Sequence, residues 1–317
     1  MHGDDLRQRA DSNANAAGAV MLNMRPSLGI VGAGKVGSTL ARLWYSAGYR
    51  VLAVHSLSAA HARELAKRVN ADVAGTPAEV AATANLTFLT VPDDRIEPVA
   101  SGLKLSGWAG KAVVHTSGVH DRTSLASLAH QGAMTGSLHP VFPFADVESA
   151  MENLVGAAFA VEAQDALLRE WLVGLVEALD GRVLDIPAGK KALYHAALSI
   201  ASNYAVTLYA RAEKLMVDLG SDRVAADQAL STLLAATIQN LRARGIPDAL
   251  TGPLVRHDLG TIAAHLEALE AADRSLLQVY INLARLSYPM LQARGVEVDS
   301  IEGILKRQED KNAFDHP

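Results

Sequence analysis

The chain has 317 residues, enough for about two ordinary domains, with half of them hydrophobic and a fifth charged. A formal charge of −5 and a pI near 6.1 give no electrostatic footprint for nucleic acid. Cysteine is absent, which excludes disulfides, thiolate metal sites and cysteine nucleophiles. No apolar run approaches the roughly 18 residues of a membrane span, and the polar segment 1–26 has no apolar core of a secretory signal. That segment is expected to be a disordered tail, and the protein a cytoplasmic one that binds neither membrane nor nucleic acid.

From Ser27 onward, short apolar runs alternate with helical patterns. Strands are predicted at Leu28–Val31, Arg50–Val54, Leu86–Thr90, Ala112–His115, Thr135–Leu138, Ala157–Val161 and Arg182–Asp185, with helices such as Val36–Ala47 and Ala59–Val69 between them. Such alternation predicts a parallel, doubly wound α/β sheet over residues 27–187. After Pro187 the apolar spacing turns helical in Lys190–Leu219, Asp222–Arg244, Thr261–Glu270 and Ser275–Ala293. An all-α domain over 188–317 is expected, its charged end fraying from Arg307.

The first strand runs into Gly32-Ala33-Gly34-Lys35-Val36-Gly37. Gly32 permits a tight turn, Gly34 lets the backbone approach a pyrophosphate, and Gly37 allows close packing of helix on strand. The helix start offers N–H groups and a partial positive charge to an anion. With strand, helix and next strand all in place, this is the context of a dinucleotide-binding Rossmann turn. An NAD-binding chain usually carries a carboxylate at the end of the second strand; here the sequence is Val54-His55-Ser56-Leu57-Ser58. NADP is therefore favoured over NAD, with His55, Ser56 and Ser58 accommodating the 2′-phosphate and Arg63 a further candidate for it; the serines equally suit a helix cap.

Ligands of open α/β sheets bind beyond the carboxyl ends of strands. Thr90-Val91-Pro92-Asp93-Asp94, His115-Thr116-Ser117-Gly118 and Ser137-Leu138-His139-Pro140 fall there, which makes Val91 and Pro92 cofactor contacts and Ser117 and His139 substrate contacts. The bland alternative for them is turn chemistry. The helix opening the C-terminal domain carries the polar group Lys191, Tyr194, His195, Ser199, Ser202 and Asn203, of which Lys191, His195, Ser199 and Ser202 fall on one side. Its neighbouring faces look buried, so this polar stripe is expected to line a cleft. Lys191 or His195 would act as proton donor, with Asn203 or Ser199 orienting substrate. The sequence leaves open whether Lys190 or Lys191 faces inward. In Thr251–Asp258, Arg256 could clamp a carboxylate or simply pair with Asp258. The histidines show no metal-ligand spacing, so no metal is expected.

Together these stretches resemble the Rossmann-like proteins whose C-terminal half is the domain of unknown function 2520, within the 6-phosphogluconate dehydrogenase-like group. The resemblance runs from Ser27 over nearly the whole chain. It implies an NADP-dependent oxidoreductase, with a deazaflavin (F420) partner as a remoter option. Hydride would pass between nicotinamide and a small polar substrate, a carboxylate being one option, held between the domains. It also implies a homodimer and a role for Lys191 as acid; His195 stands where the β-hydroxyacid dehydrogenases of that group carry asparagine. The rival reading is a non-catalytic sensor or scaffold that binds NADP.

Overall fold

The computed structural model describes residues 25–314. The predicted tail, 1–26, falls outside them except for Arg25 and Pro26. The chain divides into two compact units, one up to Ser202 and one from Asn203, whereas the sequence pattern changes near 186–189.

The first unit is an α/β unit built on one eight-stranded sheet. Its strands are β1 Leu28–Val31, β2 Val51–His55, β3 Asp72–Val73, β4 Leu86–Leu89, β5 Ala112–His115, β6 Met134–Pro140, β7 Ala158–Ala163 and β8 Arg182–Asp185, in the order β3-β2-β1-β4-β5-β6-β7-β8. The helices between them are α1 Lys35–Ser46, α2 Ala59–Val69, α3 Pro77–Thr83, α4 Asp93–Gly102, α5 Ala126–Ala129, α6 Val147–Asn153 and α7 Ala166–Glu177. All pairings are parallel but one: β7 runs antiparallel to β6, with His139 opposite Ala160. The sheet is parallel-dominated, as the alternation of strands and helices leads one to expect, with this single antiparallel pair.

β1 is buried along its whole length, as in a sheet covered on both faces. Alternate residues serve opposite cores. Leu28 and Ile30 join Trp44, Leu65, Leu172 and Val176 on one face, whereas Val31, Leu89 and Val113 meet Val80, Ile96 and Leu125 on the other. Trp44 ties three layers together. Its ring lies 4.6 Å from that of Phe88, and its Nε1 donates to the Leu175 carbonyl at 3.1 Å. Emptying such a site costs about 3–5 kcal/mol.

The last helix of this unit is α8, Lys191–Ala201. The predicted helix 190–219 breaks at Ser202, and α9 Asn203–Asp218 begins the second, all-α unit. There follow α10 Arg223–Arg244, α11 Leu259–Ala272, α12 Arg274–Leu286, α13 Tyr288–Ala293 and α14 Asp299–Phe314. Ile262, Leu266, Leu277, Ile281, Leu291, Ile301 and Leu305 form its core. The fraying expected from Arg307 is not what α14 shows, since it continues helical to Phe314. Its polar residues are anchored, with Arg285 bridging Glu302 at 2.9 Å and Glu309 at 2.7 Å, and Gln308 donating to Glu270. No helix among the described residues is long and apolar enough to cross a membrane.

Candidate active site

The turn after β1 is built around three different glycines. Gly32 has φ +108°, where a side chain is strained, and a Cβ would lie 2.5 Å from the Thr90 carbonyl oxygen. At Gly37 a Cβ would overlap the Gly32 carbonyl and the Thr90 hydroxyl, so α1 packs against the strand ends only because that side chain is missing. The Thr90 hydroxyl in turn donates to the Gly32 carbonyl at 2.6 Å. Gly34 is the opposite case, with nothing within 4 Å of a Cβ. As N-cap of α1 it also offers no side chain to the first-turn N–H groups, whereas α2, α3, α6 and α7 are capped by Ser58, Thr76, Asp146 and Asp165. Those uncapped donors are the ones an anion can take.

A cavity of about 330 Å³ adjoins this turn, with Gly32, Ala33 and Gly34 on its wall together with Thr90, Val91 and Pro92. The end of β2 contributes His55, Ser56 and Ser58. Ser58 caps α2 by accepting from the His61 amide, and the His55 Nδ1 is bonded to the Ala74 carbonyl at 3.1 Å. Two basic side chains that the sequence reasoning left out, His61 and Arg95, also line the cavity, and no carboxylate does. The spacing Ser58-x-x-His61 at a helix start was the available signal. Lys35 and Val36 follow on α1, and Lys35 opens instead toward a neighbouring hollow with Arg42 and Arg68.

Across the carboxyl edge of the sheet, β5 and β6 lie two and three strands from β1, up to about 14 Å away. A second group of polar side chains meets there. Lys191 is 4% exposed, and its Nζ donates to the Ser117 carbonyl at 3.0 Å and to the Ser137 hydroxyl at 2.8 Å. Burial lowers it to about 8, against the pull of the Glu162, Asp121 and Asp93 carboxylates. Lys190 is exposed, so the choice between the two lysines falls on Lys191. The Ser117 hydroxyl accepts from the Val119 and His120 amides and so shapes its own loop. His115 is fully buried between the Asp121 carbonyl and the Ser117 amide, and burial pushes it down to about 4.

His139 and Tyr194 meet at 2.7 Å between Nδ1 and the phenol oxygen. His139 is lowered to about 4 by burial and by the Lys191 cation, and burial raises Tyr194 to about 12. The ring of His195 stands edge-on to that of His139, centroids 6.1 Å apart. Both reach Gly118, where a Cβ would fall 2.5 Å from His195 Cδ2 and 2.7 Å from His139 Nε2. His195 has no hydrogen-bond partner among the described residues, which leaves its ring nitrogens free for a ligand.

The burial of α8 reverses the expectation for it. Lys191, Tyr194, His195 and Ser199 form the covered side, whereas Leu193 and Ile200 are 71% and 63% exposed. The cause is that Lys191 and Tyr194 bond to the strand ends, which turns the apolar side outward. Asn203 and Arg256 belong to the helical unit. Asn203 is exposed at the start of α9, and Arg256 is exposed in the turn before α11. The suggested Arg256–Asp258 pair does not form; Asp258 caps α11 through Thr261. Among the described residues no three His, Asp or Glu side chains gather as a metal site.

Two family models match the chain in succession, a Rossmann-like domain over residues 11–140 and a domain of unknown function (DUF2520) over 157–287. No curated protein matches the sequence. Among solved structures, a protein from Thermotoga maritima is similar with TM-score 0.67 and 23% identity, covering 84% of this chain and 99% of its own. A reductive aminase from Aspergillus terreus, in complex with NADPH and ethyl-5-oxohexanoate, is similar at 0.63 and 19%, over 87% and 98%. A pyrroline carboxylate reductase from Plasmodium falciparum with NADP bound is similar at 0.57 and 14%, over 91% and 99%. At these identities the likeness is one of fold.

Proposed function

We propose that this chain, a Rossmann-like domain followed by a domain of unknown function 2520, is an NADP-dependent oxidoreductase acting on a carbonyl or imine of a small polar substrate. One observation carries the reading. A single sheet edge holds an anion-ready glycine turn beside a basic, carboxylate-free cavity and, two to three strands away, an imidazole free of protein partners beside a buried lysine. The solved relatives described with NADPH or NADP support the same cofactor.

The N-terminus of α1 at Gly34 would take the pyrophosphate, and Ser56, Ser58 and His61 the 2′-phosphate, with Val91 and Pro92 along the wall. When bound, NADPH would supply hydride to an electrophilic carbon. His195 hands a proton to the oxygen or nitrogen left with the electron pair, and takes one in the reverse direction. Lys191, its Nζ held by Ser117 and Ser137, fixes positive charge beside that transfer and anchors α8 to both strand ends. Neither Asn203 nor Arg256 takes part in this proposal. A homodimer belongs to it as well, on the exposed apolar residues of α10.

Titration of the purified protein with NADPH and, separately, NADH tests the reading by fluorescence or calorimetry. The expected result is tighter binding of NADPH by roughly tenfold or more. Equal affinity or a preference for NADH overturns the 2′-phosphate site, and failure to bind either overturns the oxidoreductase.

A further inference from the structure

We propose that Tyr194 is a positioning residue that fixes His139 as a neutral imidazole with its proton on Nε2, making that N–H a donor to the substrate's carbonyl oxygen or imine nitrogen. The proposal rests on the reductase reading above for its substrate, but its structural half stands without it.

The geometry constrains the proton count. Nδ1 of His139 lies 2.7 Å from the Tyr194 oxygen, so one proton is shared there. A phenol oxygen loses lone-pair density to its ring and is a poor acceptor, whereas an unprotonated imidazole nitrogen is a good one; the hydroxyl donates and Nδ1 accepts. Tyr194 has no other hydrogen-bond partner among the described residues to draw that proton away. A neutral imidazole accepting at Nδ1 carries its proton on Nε2.

The surroundings keep both rings neutral. His139 is largely buried and faces the Lys191 cation on α8, with His195 on the same helix and His115 on β5 adding to the cost of a second proton; only Asp93 at the start of α4 opposes them. Tyr194 is half-buried and held above the ordinary phenol range. Backbone pairing with Ala160 of β7 holds the His139 main chain. Nε2 then points where Gly118 offers no side chain, beside His195. A fixed neutral N–H next to a free imidazole suits a group that must first be polarised and then protonated. Neutral histidine is used as an electrophile in this way elsewhere in enzyme chemistry.

The test reads nitrogen shifts of the ¹⁵N-histidine-labelled full chain at pH 7, without cofactor, by long-range proton–nitrogen correlation. His139→Gln identifies the His139 signals by their loss. The expected wild-type pattern is Nε2 in the protonated range and Nδ1 in the hydrogen-bonded acceptor range. Tyr194→Phe is expected to move both toward the average of two exchanging tautomers. A proton on Nδ1, an imidazolium at pH 7, or shifts unmoved by Tyr194→Phe overturns the proposal. Should that variant fail to fold, 3-fluorotyrosine at position 194 strengthens the donor and must displace the Nδ1 shift; no displacement is the overturning result. Because no cofactor is present, the outcome is independent of whether NADPH binds.

Discussion

Alanine distinguishes the glycines of the first turn. Gly34 has φ −80° and open space around it, so the unfolded-state gain of Gly34→Ala offsets alanine's poorer N-capping and stability should stay within about 1 kcal/mol of the wild type. The added methyl stands where a pyrophosphate would approach α1, so NADPH affinity should fall by roughly tenfold or more. Gly37→Ala meets backbone at once and should lose about 1–3 kcal/mol together with cofactor binding. Urea melts and NADPH titrations of both variants check this; a Gly34→Ala protein with wild-type affinity would place the cofactor elsewhere. His115 governs a second residue-scale effect. Its folded value near 4 lies below the ordinary 6.5, so the unfolded chain binds more protons between those limits and stability falls as pH drops through them. The loss from this one group approaches about 3 kcal/mol by pH 4. His115→Asn should flatten the pH dependence of the urea midpoint, and an unchanged slope would assign it to other groups.

Among the elements, those whose cause is local were legible in the sequence. Short apolar runs marked β1, β4 (with Thr87 inside it) and β5, and the glycine spacing marked the turn into α1. β3 was not legible, because two exposed residues carry no burial pattern. The strand β7 was predicted, at 157–161, but its antiparallel direction was not, since strand direction is set by the connection and not by composition. The polar stripe on α8 was read from the sequence as lying between buried faces, whereas Leu193 and Ile200 beside it are exposed. Periodicity reveals that a helix has two faces, and only the bonds of Lys191 and Tyr194 to the strand ends decide which is covered. Those bonds make α8 an electrostatic partner of β6. In Lys191→Met the charge is lost while the burial of His139 remains, so His139 should titrate at higher pH than in the wild type yet still below 6.5. A histidine NMR titration reads this directly. An unmoved midpoint would show that Lys191 anchors α8 without acting on His139.

At the scale of the whole molecule, the outstanding feature is α10. Its 22 residues extend about 33 Å, yet Ala226 is its only buried residue, and Leu233, Leu234, Ile238 and Leu241 are exposed. They make an apolar stripe of the kind that marks an interface. The charge along α10 favours a second copy of this chain as the occupant. Asp222 caps its start and Asp227 follows a turn later, with Arg223 there already bound to Glu213, whereas Arg242 and Arg244 fill its last turn. Two copies related by a twofold axis set such helices antiparallel, which brings the acidic end of one against the basic end of the other and opposes their dipoles. Light scattering on the eluting protein should therefore give twice 33.5 kDa for the wild type. Ile238→Lys buries two cations at a symmetric contact and should shift the equilibrium toward 33.5 kDa while keeping NADPH affinity, because the proposed cofactor residues all lie in the sheet unit. A wild-type chain that stays monomeric at micromolar concentration would assign this surface to a different protein, and a dimer indifferent to Ile238→Lys would move the interface off α10.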